Sequence, residues 1–132
     1  MRSRTMTEPR KYRKKPVVIE AMQMPDRYPD DMDPSEDGYA RNLQAARVYG
    51  WVEQNTLGPF DCLPIIEGEP GATWPESGVS IDPRDGRMVI ATLEGGHWVD
   101  LGDYVIRGVS GEFSPCKPGI FEQTYEVADD GA

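Results

Sequence analysis

Val79-Ser80-Ile81-Asp82-Pro83-Arg84-Asp85-Gly86-Arg87-Met88-Val89-Ile90-Ala91-Thr92 is the stretch from which the fold is read. Two short apolar runs, rich in β-branched residues, flank a turn with proline early and glycine late. That order predicts a hairpin on a type I turn closed by a glycine bulge. Proline presets φ at the first central position, and glycine accepts the left-handed one. Working outward, Glu94-Gly95-Gly96 turns the chain into His97-Trp98-Val99. Gly102-Asp103 turns it into Tyr104-Val105-Ile106-Arg107, and Ser110-Gly111 into Glu112-Phe113-Ser114. Pro118 suits the first turn of a short helix reaching Glu122. Thr124-Tyr125-Glu126-Val127 is expected to close as a strand.

The N-terminal half is less regular. Val17 to Gln23 reads as a strand that is β-branched at its start. Residues 24–38, with Pro25, Pro29, Pro34 and five aspartates, read as a long loop. A helix is predicted from Tyr39 to Gln54, because Ala45, Val48, Tyr49 and Val52 recur at spacings of three and four. Asp37 or Ser35 is its candidate cap and Asn55 its stop. In the second long loop, 57–78, Cys62-Leu63 and Ile65-Ile66 are candidates for one short strand. The reading is a small α+β domain over 16–128, with an antiparallel sheet of short hairpin strands, one main helix and a short C-terminal helical turn. Ile19, Val48, Val52, Val89, Ala91, Val105, Phe113, Phe121 and Tyr125 are the expected core. Residues 129–132 are a tail.

The net charge of −9 hides a strong polarity. Arg2, Arg4, Arg10, Lys11, Arg13, Lys14 and Lys15 gather in the first fifteen residues against Glu8 alone, while the remainder is strongly acidic. An acidic body repels nucleic acid and anionic membrane, whereas a basic arm attracts both. Residues 1–15 are therefore expected to be a poorly ordered arm that folds back on the body or contacts nucleic acid. No apolar run approaches the roughly 20 residues of a membrane span, and Glu20 cuts the Val17-Val18-Ile19 run too short for a signal peptide. The expected location is the cytoplasm. Cys62 and Cys116 are most simply free thiols there.

Two stretches together resemble a group of small bacteriophage and prophage proteins. One is the opening, Lys11-Tyr12-Arg13-Lys14-Lys15-Pro16-Val17-Val18-Ile19-Glu20-Ala21. The other is the ending, Thr92-Leu93-Glu94-Gly95, then Gly102 to Val109, then Gly111-Glu112-Phe113, Pro115-Cys116-Lys117-Pro118, Ile120-Phe121-Glu122 and Thr124-Tyr125-Glu126. The chain departs from that pattern at Leu101, Ser114 and Gly119, where the group has proline, an aromatic residue and an acid. The resemblance implies a phage-type origin and a fold, working in a host cytoplasm, and carries over no catalytic residues.

Candidate chemistry is sparse. His97, the sole histidine, and Cys116, beside Lys117, have the residue types of a thiolate–imidazole site. No glycine-rich oxyanion loop accompanies them, so a core thiol and a hairpin histidine are the simpler reading. Glu94, Asp103, Glu112, Glu122 and Glu126 have ordinary readings at turns and on solvated faces. The Asp26–Asp37 run lacks the ordered alternation of a calcium loop, and one histidine with two distant cysteines does not assemble a zinc set. Neither phosphate-cradling glycine motif occurs. No cofactor or metal is expected. Trp74, in a Pro/Gly-rich loop, is either an exposed binding residue or part of a loop folded over the core. The expected function is therefore contact with a host or phage protein partner, through a surface including Trp74 and Arg10, Lys11, Arg13, Lys14 and Lys15. Nucleic-acid association through the arm and a small Cys/His enzyme are the alternatives.

Overall fold

The hairpin read from the sequence is the centre of a three-stranded antiparallel meander. Its strands are β2 (Gly78–Ile81), β3 (Met88–Thr92) and β4 (Gly95–Val99), paired in that order. The structure, a computed structural model, describes residues 8–27 and 36–128. The turn closes as expected: Gly86 N donates to Asp82 O at 2.7 Å, with Gly86 at φ +80°. A second antiparallel sheet, ordered β1-β5-β6, consists of β1 (Glu20–Gln23), β5 (Tyr104–Arg107) and β6 (Phe113–Cys116). The main helix is α1 (Glu36–Gln54), and two short helices, α2 (Leu63–Ile66) and α3 (Pro118–Thr124), complete the described elements. An α+β fold of short hairpin strands is thus present, with the strands divided between two sheets.

One buried cluster joins both sheets to α1. It comprises Met24, Val48, Val52, Val79, Met88, Ile90, Val99, Val105 and Phe113, with Ala45, Tyr49 and Trp51 packed against it. The stripe at 45, 48, 49 and 52 is therefore the buried face of α1, and Leu43, off that stripe, is exposed. The helix ends where Asn55 was read as a stop. Asn55 Nδ2 donates to Trp51 O and Thr56 Oγ1 to Val52 O, each at 2.8 Å, so side chains satisfy carbonyls the helix leaves open. Asp37 lies inside the helix rather than capping it, and Ser35 is outside the described residues.

β3 is buried on both faces, which explains its continuous apolar run. Met88 and Ile90 face the shared core. Val89 and Ala91 face the other side, where the segment before β2 folds down. That segment bridges β2 in parallel at Pro59 and Val79 and exchanges backbone bonds between Gly58, Phe60 and Val79.

Four expectations change. Leu63–Ile66 form α2 rather than a strand, because Pro64 sits in a first helical turn where its missing N–H costs nothing. Residues 125–128 form no strand: Tyr125 N is held by Phe121 O at 2.8 Å, at the end of α3. Ile19, Phe121 and Tyr125 are only half-buried, since they line a surface groove and not the core. The loop at 24–38 begins as an extension of the sheet, with Met24 N on Asp103 O at 2.8 Å and Gly102 N on Pro25 O at 2.9 Å, and α1 already starts at Glu36. Residues 28–35 of that loop lie outside the described residues.

Gly78 is the tightest backbone approach. It has φ +147°, and a Cβ there would lie 2.8 Å from Gly58 O. Gly78→Ala is expected to destabilise the protein by about 1–3 kcal/mol, read as a lower urea midpoint at unchanged m-value.

Candidate interaction surface

Apolar surface is left uncovered beside β1, as it is at scattered positions such as Leu57, Leu93 and Val109. Val17 is 46% and Val18 71% exposed, immediately before the strand. Both help line a groove of about 540 Å³ together with Ile19, Ala21, Tyr104, Phe121 and Tyr125, among others. Its walls follow from local structure. Tyr104 on β5 stacks on Phe121 of α3 at 3.7 Å between centroids and 7° between planes. Phe121 in turn meets Tyr125 at 5.0 Å. Glu122 and Glu126, also lining the groove, are exposed as expected.

The basic residues continue directly from this edge. Arg10, Lys11, Arg13, Lys14 and Lys15 are all exposed, in a segment with neither helix nor strand. The Lys14 ammonium lies 5.7 Å from the Tyr125 ring centroid, a cation–π contact that ties the arm's root to the groove. Tyr12, between Lys11 and Arg13, is 85% exposed. Residues 1–7, including Arg2 and Arg4, are outside the described residues.

Trp74 is elsewhere. Its loop folds onto the second sheet, the ring edge-on to Phe60 at 5.9 Å and to Trp98 at 5.8 Å, half-buried against Gly96. Of the two readings its sequence context left open, the folded-down loop is the one observed.

His97 lies in a separate cleft of about 490 Å³, with Glu76, Glu94 and Glu112 among its lining. Its Nε2 is 3.0 Å from Thr92 Oγ1, and that hydroxyl oxygen accepts from Glu94 N at 3.1 Å. Cys116 is not part of that cleft; its thiol donates to Lys117 O at 3.6 Å. The Lys117 ammonium is occupied by Asp100 and Asp103, and hydrogen bonding to Asp100 raises its pKa. Histidine and thiol therefore have separate partners, and no hydrogen bond joins them among the described residues. Asp103 has a turn role: it is buried and its Oδ2 accepts from Asp100 N at 2.9 Å. Among the described residues, no group of three or more His, Cys, Asp or Glu side chains could hold a metal ion.

Sequence reading passed over one buried charge, Asp82. Its carboxylate is fully buried, takes Arg84 Nε at 3.0 Å and Nη2 at 2.8 Å, and accepts Trp98 Nε1 at 2.9 Å. The alternation of β2 contained the signal, since Asp82 continues the face of Ser80. Hydrogen bonding to Arg84 holds the Asp82 carboxyl well below the usual carboxylate range, and Trp98 adds to this. A depressed carboxylate contributes stability above its unfolded pKa of about 3.9 and loses it as pH falls below that value. Asp82→Asn is thus expected to lower stability near neutrality, with the gap to wild type narrowing below about pH 4.

Among the described residues no helix is long and apolar enough to cross a membrane. No family model matches the chain, and comparison with curated proteins and with solved structures gave no significant match.

Proposed function

We propose that this chain works by contact, as a phage-type accessory protein that binds a protein partner in the host cytoplasm. The observation that supports this reading is the uncovered apolar edge at Val17 and Val18, flanked by an aromatic-lined groove and five exposed cations. Contiguous apolar surface with a polar rim is characteristic of interaction sites. The separate partners of His97 and Cys116 leave the enzyme reading without an assembled nucleophile and base. A second reading rests on Tyr12: an exposed aromatic among lysines and arginines suits stacking on single-stranded nucleic acid.

Host-lysate capture with the tagged protein separates these readings. A stoichiometric protein retained by wild type and by a His97→Ala/Cys116→Ser variant, but lost with Val18→Asp, is the expected result. Val18 is mostly exposed, so its substitution should leave the fold intact. Capture that survives Val18→Asp and fails with the double variant would overturn the contact reading. Recovery of nucleic acid alone, decreasing steeply with salt, would select the second reading.

A further inference from the structure

The hydrogen-bond register of β1 defines what its outer edge presents. Glu20 pairs with Arg107 and Met22 with Val105, and the ladder continues through Met24 N donating to Asp103 O. In an antiparallel ladder the residues of one parity exchange bonds with the neighbour, while those of the other parity turn their N–H and C=O groups away. Even-numbered residues of this strand therefore serve β5, and odd-numbered ones face outward. Gln23 shows the rule: its carbonyl accepts from Gln44 Nε2 of α1 at 2.7 Å and not from β5. The helix thus closes the C-terminal end of the edge. Ahead of that closure, Ala21 has the outward parity within β1, Ile19, Val17 and Lys15 lead into it from outside the paired strand, and no described strand lies on the side of β1 away from β5.

We infer that this edge accepts an extended segment of a partner protein by strand addition. The segment carries alternating apolar side chains against the groove and a run of acidic residues beside the arm. Main-chain bonds supply affinity in such complexes, and pockets for alternate side chains supply specificity. The groove lies on the face that Ala21 shares with Tyr104, so every second side chain of an added strand reaches it. Charge sets the partner's chemistry and its register. Arg10, Lys11, Arg13, Lys14 and Lys15 attract carboxylates at the arm end, whereas Glu122 and Glu126 in the groove repel them there. A second copy fits less well: its own Gln44 closes the far end of its edge, and its arm would bring like charges to the assembly.

The inference rests on the contact reading above, and the full-length protein tests it with defined probes. One is a synthetic peptide of alternating threonine and valine ending in four aspartates. Controls are the same strand ending in four lysines, a proline-interrupted strand and a thymidine homopolymer. The aspartate-tailed strand should bind at least about tenfold more tightly than either peptide control. On binding, the amides of Ile19 and Ala21 should become protected from exchange. Val17→Pro, which removes one backbone donor from the segment leading into the paired strand, should weaken binding about tenfold at unchanged Tm. Arg13→Glu/Lys15→Glu should reverse the preference towards the lysine-tailed strand, a gain that misfolding would not produce.

No binding by either charged strand, with Ile19 and Ala21 unprotected, would overturn strand addition. If Val18-dependent lysate capture persisted in that case, the contact reading would stand alone. If capture failed as well, both would fall. Binding of the thymidine homopolymer without the peptides would reassign the arm to nucleic acid. Protection of Ile19 and Ala21 without peptide, in a protein sedimenting as a dimer, would assign the edge to a second copy.

Discussion

Phe113→Ala is expected to lower the unfolding free energy by about 3–5 kcal/mol, the range for truncating a core aromatic residue. Phe113 is 2% exposed and sits at the first position of β6. It belongs to the buried cluster, meets Trp51 of α1 edge-on at 5.0 Å, and lies 5.7 Å beneath the Arg107 guanidinium. One ring therefore bridges the first sheet, the helix and the meander core. Phe121→Ala is the matched control. Phe121 is half-buried in the surface groove, so its loss should cost only about 1–2 kcal/mol, most of it the Tyr104 stack. Urea unfolding of both variants checks the pair. Equal losses would place the groove wall in the core.

These two phenylalanines show what the sequence could and could not reveal. Both sit among turn residues in the regular C-terminal half, and both read as apolar positions of short elements. Only the fold separates them: Phe113 starts a strand whose inner face meets α1, while Phe121 lies on a helix covering the outer face of the same sheet. The β2–β3 hairpin was legible because proline, glycine and two β-branched runs all agree locally. The division into two sheets was not legible, because β1 pairs with β5 across some eighty residues and no local signal encodes that choice. For the same reason Ile19 reads as core from sequence although it is only half-buried, next to the exposed Val17 and Val18. Three consecutive apolar residues cannot all face one side of a strand, and here the run ends against a free edge. The basic arm and its cations were read directly. Their position beside an aromatic groove came from the C-terminal segment, where a closing strand had been expected.

Trp74→Ala is expected to cost about 3 kcal/mol, the low end for a large aromatic side chain, because the ring holds its loop down on the second sheet. Trp74 stands edge-on between Phe60 and Trp98, and its indole occupies the space over Gly96, where a Cβ would collide with three ring atoms. Gly96→Ala should therefore force the ring out, at an overpacking cost of about 1–3 kcal/mol. The two substitutions are coupled through one contact. Once Trp74 is Ala, the collision is gone, and adding Gly96→Ala should cost little more. The double variant should thus be more stable than the sum of the single losses predicts, by at least about 1 kcal/mol. This cycle also bears on recognition. A tryptophan serving mainly as an exposed binding anchor would give a Trp74→Ala variant of unchanged Tm, additive with Gly96→Ala and deficient only in partner capture. A coupled loss of stability, with Val18-dependent capture retained, would assign Trp74 to folding and leave recognition to the β1 edge on the other sheet.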